Sequence, residues 1–265
     1  MTDHPKRVVC LTEETTETLY SIGASELIAG ITEYTVRPER AIEEKPVVSR
    51  YIHADYDEIL KLKPDIVLTW SDMQAKITAE LVSRGIEVYN FNHFDLQGIL
   101  NFVVKLGALV NKREEADNFS GKLKQKLDQI AERGSKRQSK PKVYFEEWYN
   151  PLIAGSKWVS EIIELAGGVD VCKEEALNYK AKDRIIEDHS AILDKDPDIM
   201  LVSWCGKPYK QEKILKRALW DQSELIKNNK IFEIDSSIIL QPGPAAILDG
   251  TEIIADIFDK WEKSK

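Results

Sequence analysis

Hydrophobic positions in the first 94 residues follow two alternating periods. Short apolar or β-branched runs at 7–11, 27–32, 46–49, 65–70 and 87–91 read as buried strands. Helical spacing at 12–22, 56–62 and 74–84 fills the gaps between them. The first of these helices has acids in its opening turn and stops at Gly23, and the third stops at Gly85. Strands separated by helices predict a parallel sheet, because a parallel pair needs a crossover of about helix length.

The pattern then changes. From Asp95 to about Glu132 there is no strand signal. Apolar residues recur at helical spacing through Leu96, Ile99, Leu100, Val103 and Val104, and again at Phe119, Leu123, Leu127 and Ile130. Gly107 and Asn111 are positions that could kink or divide this tract. Unbroken, it would be roughly 57 Å long at 1.5 Å per residue, so it reads as a brace joining two α/β units. The stretch 134–141 is polar and basic and reads as a solvated loop. Strand and helix signals resume with strands at 142–146, 198–203 and 231–234, and helices at 158–166, 190–194 and 245–263. The expected domains are an N-terminal α/β lobe (1–94), a helical linker (95–134) and a C-terminal α/β lobe (135–265).

One stretch occurs twice. Ile59, Leu60, Pro64, Asp65, Ile66 and Leu68 match Ile192, Leu193, Pro197, Asp198, Ile199 and Leu201 at a constant offset, and the two strands lead into Trp70 and Trp204. Each copy reads as a helix end, a Pro-Asp turn and a buried strand. Two similar units fit an internal duplication with a ligand cleft between lobes. They equally fit a common helix-to-strand connection of α/β proteins.

Composition narrows the class. A chain of 265 residues with 43% hydrophobic and 31% charged residues fits a globular protein of one or two domains. A net charge of −8 with no dominant basic face argues against a nucleic-acid partner. No apolar run approaches the roughly 20 residues that span a bilayer. Met1 is followed by polar residues and then a strand, with no apolar signal core. The expectation is a cytoplasmic protein if Met1 is native, or a periplasmic or cell-surface one if a leader has been removed. Cys10, Cys172 and Cys205 lie far apart and suggest neither a metal site nor a disulfide framework. Cys10 reads as a small buried apolar residue.

In parallel sheets the ligand side lies beyond the carboxyl ends of the strands. Those positions hold Glu13, Glu14, Tyr34, Arg50, Tyr51, Trp70 and Ser71 in the first half. In the second they hold Glu147, Trp148, Tyr149, Trp204, Cys205 and Lys207, with Trp158 and Arg184 on loops nearby. A set this rich in Trp and Tyr suits a large, flat, partly apolar ligand. The competing reading for each Trp is ordinary core packing. Glu146 and Glu147 are neighbours in a strand, so they face opposite ways and cannot act as a catalytic pair. A hydrolase would have to rest on Glu147 or Cys205, and no Gly-x-Ser-x-Gly elbow supports a serine nucleophile. His53 and His93 could face the cleft, although packing or surface roles are the simpler reading, and no metal site is expected. No Gly-rich phosphate loop is present. Gln241 precedes Pro242-Gly-Pro244, a rigid turn that could present its side chain to a ligand.

Several motifs together resemble a known family. Leu11-Thr-Glu-Glu-Thr-Thr-Glu17, Leu19-Tyr-Ser-Ile-Gly23 and Leu27-Ile-Ala-Gly-Ile31 look like the opening of the substrate-binding proteins of vitamin B12 and iron-siderophore ABC importers. The stretch from Ile59 to Leu68 is similar to that family's most recurrent segment. Glu147-Trp148, Pro151, Gly155, Trp158-Val159, Glu161-Ile-Ile163 and Ala166-Gly-Gly168 resemble the second-lobe signature of its cobalamin-binding branch. The resemblance covers nearly the whole chain. It implies the class III substrate-binding-protein architecture: two Rossmann-like lobes with mostly parallel sheets, joined by a single long backbone helix and closing little on the ligand. It also implies a monomeric, non-enzymatic protein that holds cobalamin or a related corrinoid and needs no catalytic cofactor. Its partner would be an ABC permease. Trp70, Trp148, Trp158, Trp204, Tyr34 and Tyr51 would pack on the macrocycle, and Arg50, Arg184, Glu13, Glu147 and Gln241 would bond its polar edges. The mixed charges of this set favour a neutral corrinoid over an anionic chelate. The alternatives are an iron-siderophore or heme carrier, or a cytoplasmic corrinoid carrier or sensor. Two features depart from the family: the missing leader, and the lysines (Lys76, and Lys207 to Lys213) near positions where it commonly places an exposed Glu for the permease.

Overall fold

The computed structural model describes residues 4–50, 52–217 and 220–265. Val8, Val9 and Cys10 have no exposed surface, as a strand covered on both faces requires. They form β1 (Val8–Cys10), central in a sheet with β2 (Ile28–Thr32), β3 (Val47–Arg50), β4 (His53–Ala54), β5 (Ile66–Trp70) and β6 (Val88–Phe91). The strand order is β4-β3-β2-β1-β5-β6, and every pairing is parallel except that of β3 with the two-residue edge strand β4. Helices Glu13–Ser21, Tyr56–Lys61 and Ala75–Ser83 supply connections, and the apolar faces of the last two close a core that includes Leu11, Val48, Ile59, Val67, Ile77 and Leu81.

The second sheet contains β7 (Lys142–Tyr149), β8 (Leu152–Ala154), β9 (Val169–Asp170), β10 (Ile185–Ile186), β11 (Ile199–Val202) and β12 (Ile231–Glu233). Its main path is β10-β8-β7-β11-β12, with β9 parallel to the start of β7. β11 is parallel to both β7 and β12, while β8 is antiparallel to β7 and β10. β7 runs three residues beyond the expected strand at 142–146: Glu146 still pairs with Val202 of β11, and Trp148 and Tyr149 continue along β8 as a hairpin. Hydrophobic alternation did not mark that extension, since Glu147 opens it.

The chain divides into two compact units, Met1–His93 with Gln97–Lys124, and Phe94–Leu96 with Gln125–Lys265. The helical tract between the sheets is two helices, Leu96–Leu109 and Arg113–Ser135. They separate at Asn111, whose φ of 58° is left-handed. Gly107 is required there: a Cβ on it would meet the Ala116 side chain and lie 2.8 Å from the Lys112 carbonyl oxygen. The helix Arg113–Ser135 is the long one, beginning in the first unit and ending in the second.

The basic stretch after this helix is not the solvated loop expected. The Arg137 side chain is 2% exposed, donates to the Ala166 and Ala255 carbonyls at 2.8 and 2.9 Å, and pairs with Asp259 at 2.6 Å. Arg133 pairs with Glu252, Asp256 and Asp259, and Lys126 pairs with Glu252. These contacts tie the end of the long helix to the closing helix Thr251–Glu262, which follows a π-helical turn at Ala246–Gly250.

The repeated sequence has one structural job in both units. Lys63 and Asp196, at matching positions, both turn the chain with left-handed φ values of 48° and 50°. Asp65 then accepts from the amides of Lys6 and Arg7 at 2.6 and 2.9 Å, and its own amide donates to the Arg7 carbonyl. Asp198 accepts from the Lys142 amide at 2.8 Å and donates back to the Lys142 carbonyl. Each Pro-Asp turn therefore pins the start of the neighbouring strand, β1 or β7.

Candidate functional site

In the first unit the helix Glu13–Ser21 starts directly beyond the end of β1. Its first turn brings two acids to a buried place. Glu13 is 8% exposed and Glu14 is 1% exposed. Burial raises the Glu13 carboxyl to about 8, with the Glu14 charge adding to the rise. Burial likewise raises Glu14 to about 7, against the hydrogen bond from the Thr12 hydroxyl at 2.5 Å. A helix N-terminus favours carboxylates, but loss of water outweighs that here.

At the end of β5 the Trp70 indole is buried and donates to the His93 carbonyl at 3.2 Å. Ser71 is also buried, with φ 57°, and its hydroxyl accepts from the Met73 amide. Gln74 bonds the Trp70 amide and the Leu11 carbonyl, fastening the end of β5 to that of β1. Sequence reasoning passed over Gln74, because nothing local distinguishes it from a surface glutamine. His93 stacks on Phe102 at 4.6 Å and is a packing histidine. His53 is exposed on the edge strand. Tyr34 is 45% exposed, and Arg50 is exposed and paired with Glu33 at 2.9 Å. Tyr51 lies outside the described residues.

In the second unit, the opposite orientation of Glu146 and Glu147 gives each a separate arginine. Glu146 is fully buried and accepts four donors: Arg217 Nη1 and Nη2 at 2.6 and 2.8 Å, Trp204 Nε1 at 2.9 Å and the Tyr144 hydroxyl at 3.1 Å. Glu147 accepts from Arg184 Nη2 at 2.8 and 2.7 Å. Arg184 spends its other donors on the carbonyls of Ala154, Asn178 and Tyr179. Burial pushes the Glu147 carboxyl upward, and Arg184 opposes it.

These contacts correct several expectations. Trp70, Trp158 and Trp204 are core tryptophans, because each indole N–H is directed at an internal acceptor; that of Trp158 is the Ile239 carbonyl at 2.9 Å. Glu147 and Arg184 hold each other and are not open to bond a ligand edge or to act as acid or base. Glu14 and Ser71 are interior groups. Gln241 is half-buried, in a turn where the Gly243 amide donates to its carbonyl at 2.8 Å. Cys205 is exposed, whereas Cys10 and Cys172 are buried and pushed up to about 12 by that burial.

Beside these buried groups the second unit carries the half-buried Trp148, Tyr149 and Tyr209, packed around the buried Trp204, with cations on them. Trp148 and Tyr149 are 5.1 Å apart between ring centroids, Tyr149 and Trp204 4.6 Å, and Trp204 and Tyr209 5.4 Å. Trp148 donates its indole N–H to the Asn150 carbonyl and stays half-buried. Lys207 Nζ lies 5.1 Å from the Trp148 centroid, and Lys213 Nζ 3.5 Å from that of Tyr149. A cavity of about 530 Å³ beside Trp204 is lined also by Lys207, Pro208, Glu233, Ile234 and Asp235. Sequence reasoning had missed Tyr209 and Arg217, and had noted Lys213 only among the lysines where the family commonly places an exposed Glu.

Comparison with known proteins agrees with this architecture. The family described as periplasmic binding protein matches residues 8–238. The high-affinity heme uptake system protein IsdE of Staphylococcus aureus is 22% identical over 267 residues, covering 98% of this chain and 88% of that protein. The crystal structure of IsdE complexed with heme superposes with a TM-score of 0.80 at 19% identity, over 95% of this chain and 98% of that one. The periplasmic vitamin B12-binding protein BtuF of Vibrio cholerae gives 0.76 at 18% identity, over 98% of both chains. At such identities the solved structures speak for the fold. The family match runs from the first strand almost to the closing helix, and the chain belongs to the periplasmic binding protein family, the substrate-binding proteins of ABC importers.

Proposed function

We propose that this protein carries a metal-bearing macrocycle, a corrinoid or a heme, for an ABC permease, and performs no chemistry on it. The observation that carries this reading is the aromatic strip formed by the half-buried Trp148 and Tyr149 at the end of β7, backed by Trp204 and Tyr209. Fused aromatic and apolar rings stack on such a surface with little loss of side-chain freedom. The carboxylates next to it, Glu146 and Glu147, are already consumed by arginines, which removes the best acid–base candidates of the second unit. Relatives described as heme-uptake and vitamin B12-binding proteins support the ligand class from both sides. Glu13, Tyr34, Arg50 and Gln241 are the remaining expected ligand contacts.

Trp148→Ala is expected to weaken macrocycle binding by about 1–3 kcal/mol. Quenching of tryptophan fluorescence during titration with hemin and with cyanocobalamin reads the change directly. Unaltered affinity for both ligands in Trp148→Ala and also in Tyr149→Ala would remove the strip from the binding surface.

A further inference from the structure

We infer that the ion pair of Glu147 with Arg184 fixes a second ligand-contact element of this unit, the loop 177–180, so that Leu177 and Tyr179 form an apolar rest for the ligand and Arg184 is its positioning residue. The inference rests on the macrocycle reading above and adds to it a contact surface apart from Trp148 and Tyr149.

Leu177 and Tyr179 are 59% and 53% exposed, more than any other large apolar residue described in the second unit. They lie between the short helix Lys173–Ala176 and the turn Ala181–Arg184. The Tyr179 ring is set by Phe94 of the same unit, at 5.3 Å between centroids with the planes at 47°. Lys180 Nζ lies 5.4 Å from the Tyr179 centroid. The backbone of the loop is held from within. Arg184 Nη1 donates to the Asn178 and Tyr179 carbonyls at 3.2 and 3.1 Å. The amide and the side chain of Asn178 both donate to the Glu175 carbonyl at 3.1 Å.

Holding two carbonyls in this way takes up a buried charge. The Arg184 side chain is 4% exposed, and its Nη2 donates to both oxygens of Glu147, at 2.8 and 2.7 Å. Such a pair adds little stability over apolar side chains of similar volume, so its effect here is to fix one conformation of the loop. It also fixes the place. Glu147 directly precedes Trp148. Arg184 Nε donates at 3.2 Å to the carbonyl of Ala154, the residue opposite Glu146, where β7 ends its parallel pairing with β11. That is the carboxyl end of the parallel strands, the side on which α/β sheets bind ligands. Two exposed apolar side chains on a backbone already pinned at that edge make a preorganised surface, which loses little freedom when a ligand covers it.

The test titrates the protein with hemin and with cyanocobalamin, followed by tryptophan fluorescence. The double variant Leu177→Ala with Tyr179→Ala is expected to bind whichever ligand the wild type holds about tenfold more weakly. Its melting temperature should be unchanged, because both side chains lie outside the core. Arg184→Lys keeps a charge for Glu147 but lacks the planar fork that reaches both carbonyls. It should weaken binding by a similar factor, and adding it to the double variant should weaken binding no further, because both changes remove the same contact. A merely structural role for Arg184 would not produce that non-additivity. Unchanged affinity in the double variant, or a full further loss on adding Arg184→Lys, would overturn the inference and leave the macrocycle reading standing on Trp148. Failure of the folded wild type to bind either ligand would overturn both.

Discussion

Replacing Arg217 with alanine is expected to destabilise the protein by roughly 3–5 kcal/mol, the cost of stranding a buried charge. Glu146 is fully buried and Arg217 supplies two of the four donors that surround its carboxylate. The other two, from Trp204 and Tyr144, are neutral and do not replace a guanidinium. The loss should appear as a lower urea midpoint followed by tryptophan fluorescence. Removing both charges should recover much of it, because an apolar replacement leaves nothing charged inside. Glu146→Leu with Arg217→Met is therefore expected to be more stable than Arg217→Ala alone. A drop below about 1 kcal/mol in the single variant would mean that Glu146 is not the buried carboxylate this account requires. The same network explains why the indole of Trp204 faces inward: it is part of the solvation shell that the protein builds for Glu146.

The second large effect is a dependence of stability on pH with an unusual direction. Glu13 and Glu14 titrate at about 8 and about 7 when folded, against an ordinary value of 4.5. Between those values the folded chain holds protons that the unfolded chain has released. Stability is therefore fully present below about pH 4.5 and falls as the pH rises toward about 8. Each pKa unit corresponds to about 1.4 kcal/mol, so the loss from Glu14 alone is on the order of 3 kcal/mol. Glu14→Gln keeps an acceptor for the Thr12 hydroxyl and cannot ionise. It should flatten the profile and be the more stable protein at pH 8. Thermal melts from pH 4 to 9 decide this, and parallel profiles for the two proteins would contradict it. Since these acids lie directly after β1, at the carboxyl end of the sheet, the same substitution also asks whether their protonation bears on the ligand.

Much of the fold could be read from local pattern. Apolar runs located β1, β2, β3, β5 and β6 within a residue or two; for β1, β2 and β5 the reason is that a buried parallel strand has to be apolar on both faces. The repeated Pro-Asp stretch pointed to equivalent places in the two sheets, and the reason is now physical: Asp65 and Asp198 both secure a neighbouring strand by backbone amides. Asn111 was visible as a breaking point, and it does break the helical tract. The site was far less legible. A tryptophan after a strand looks the same in sequence whether its ring faces a ligand or the core. What decides the matter for Trp204 is Glu146, 58 residues earlier, and for Glu146 it is Arg217, 71 residues later. Likewise, the pairing of Arg50 with Glu33 and of Arg184 with Glu147 could not be read from their spacing along the chain. Such pairings are set by tertiary packing and leave no local trace.

A carrier of one metal-bearing macrocycle binds it reversibly and in a single copy, and isothermal titration calorimetry of the protein with hemin and with cyanocobalamin reads both properties. Saturable one-to-one binding of at least one of them is expected, with a dissociation constant below about 1 μM, worth roughly 8 kcal/mol or more. A folded protein that gives no binding heat with either ligand would contradict it.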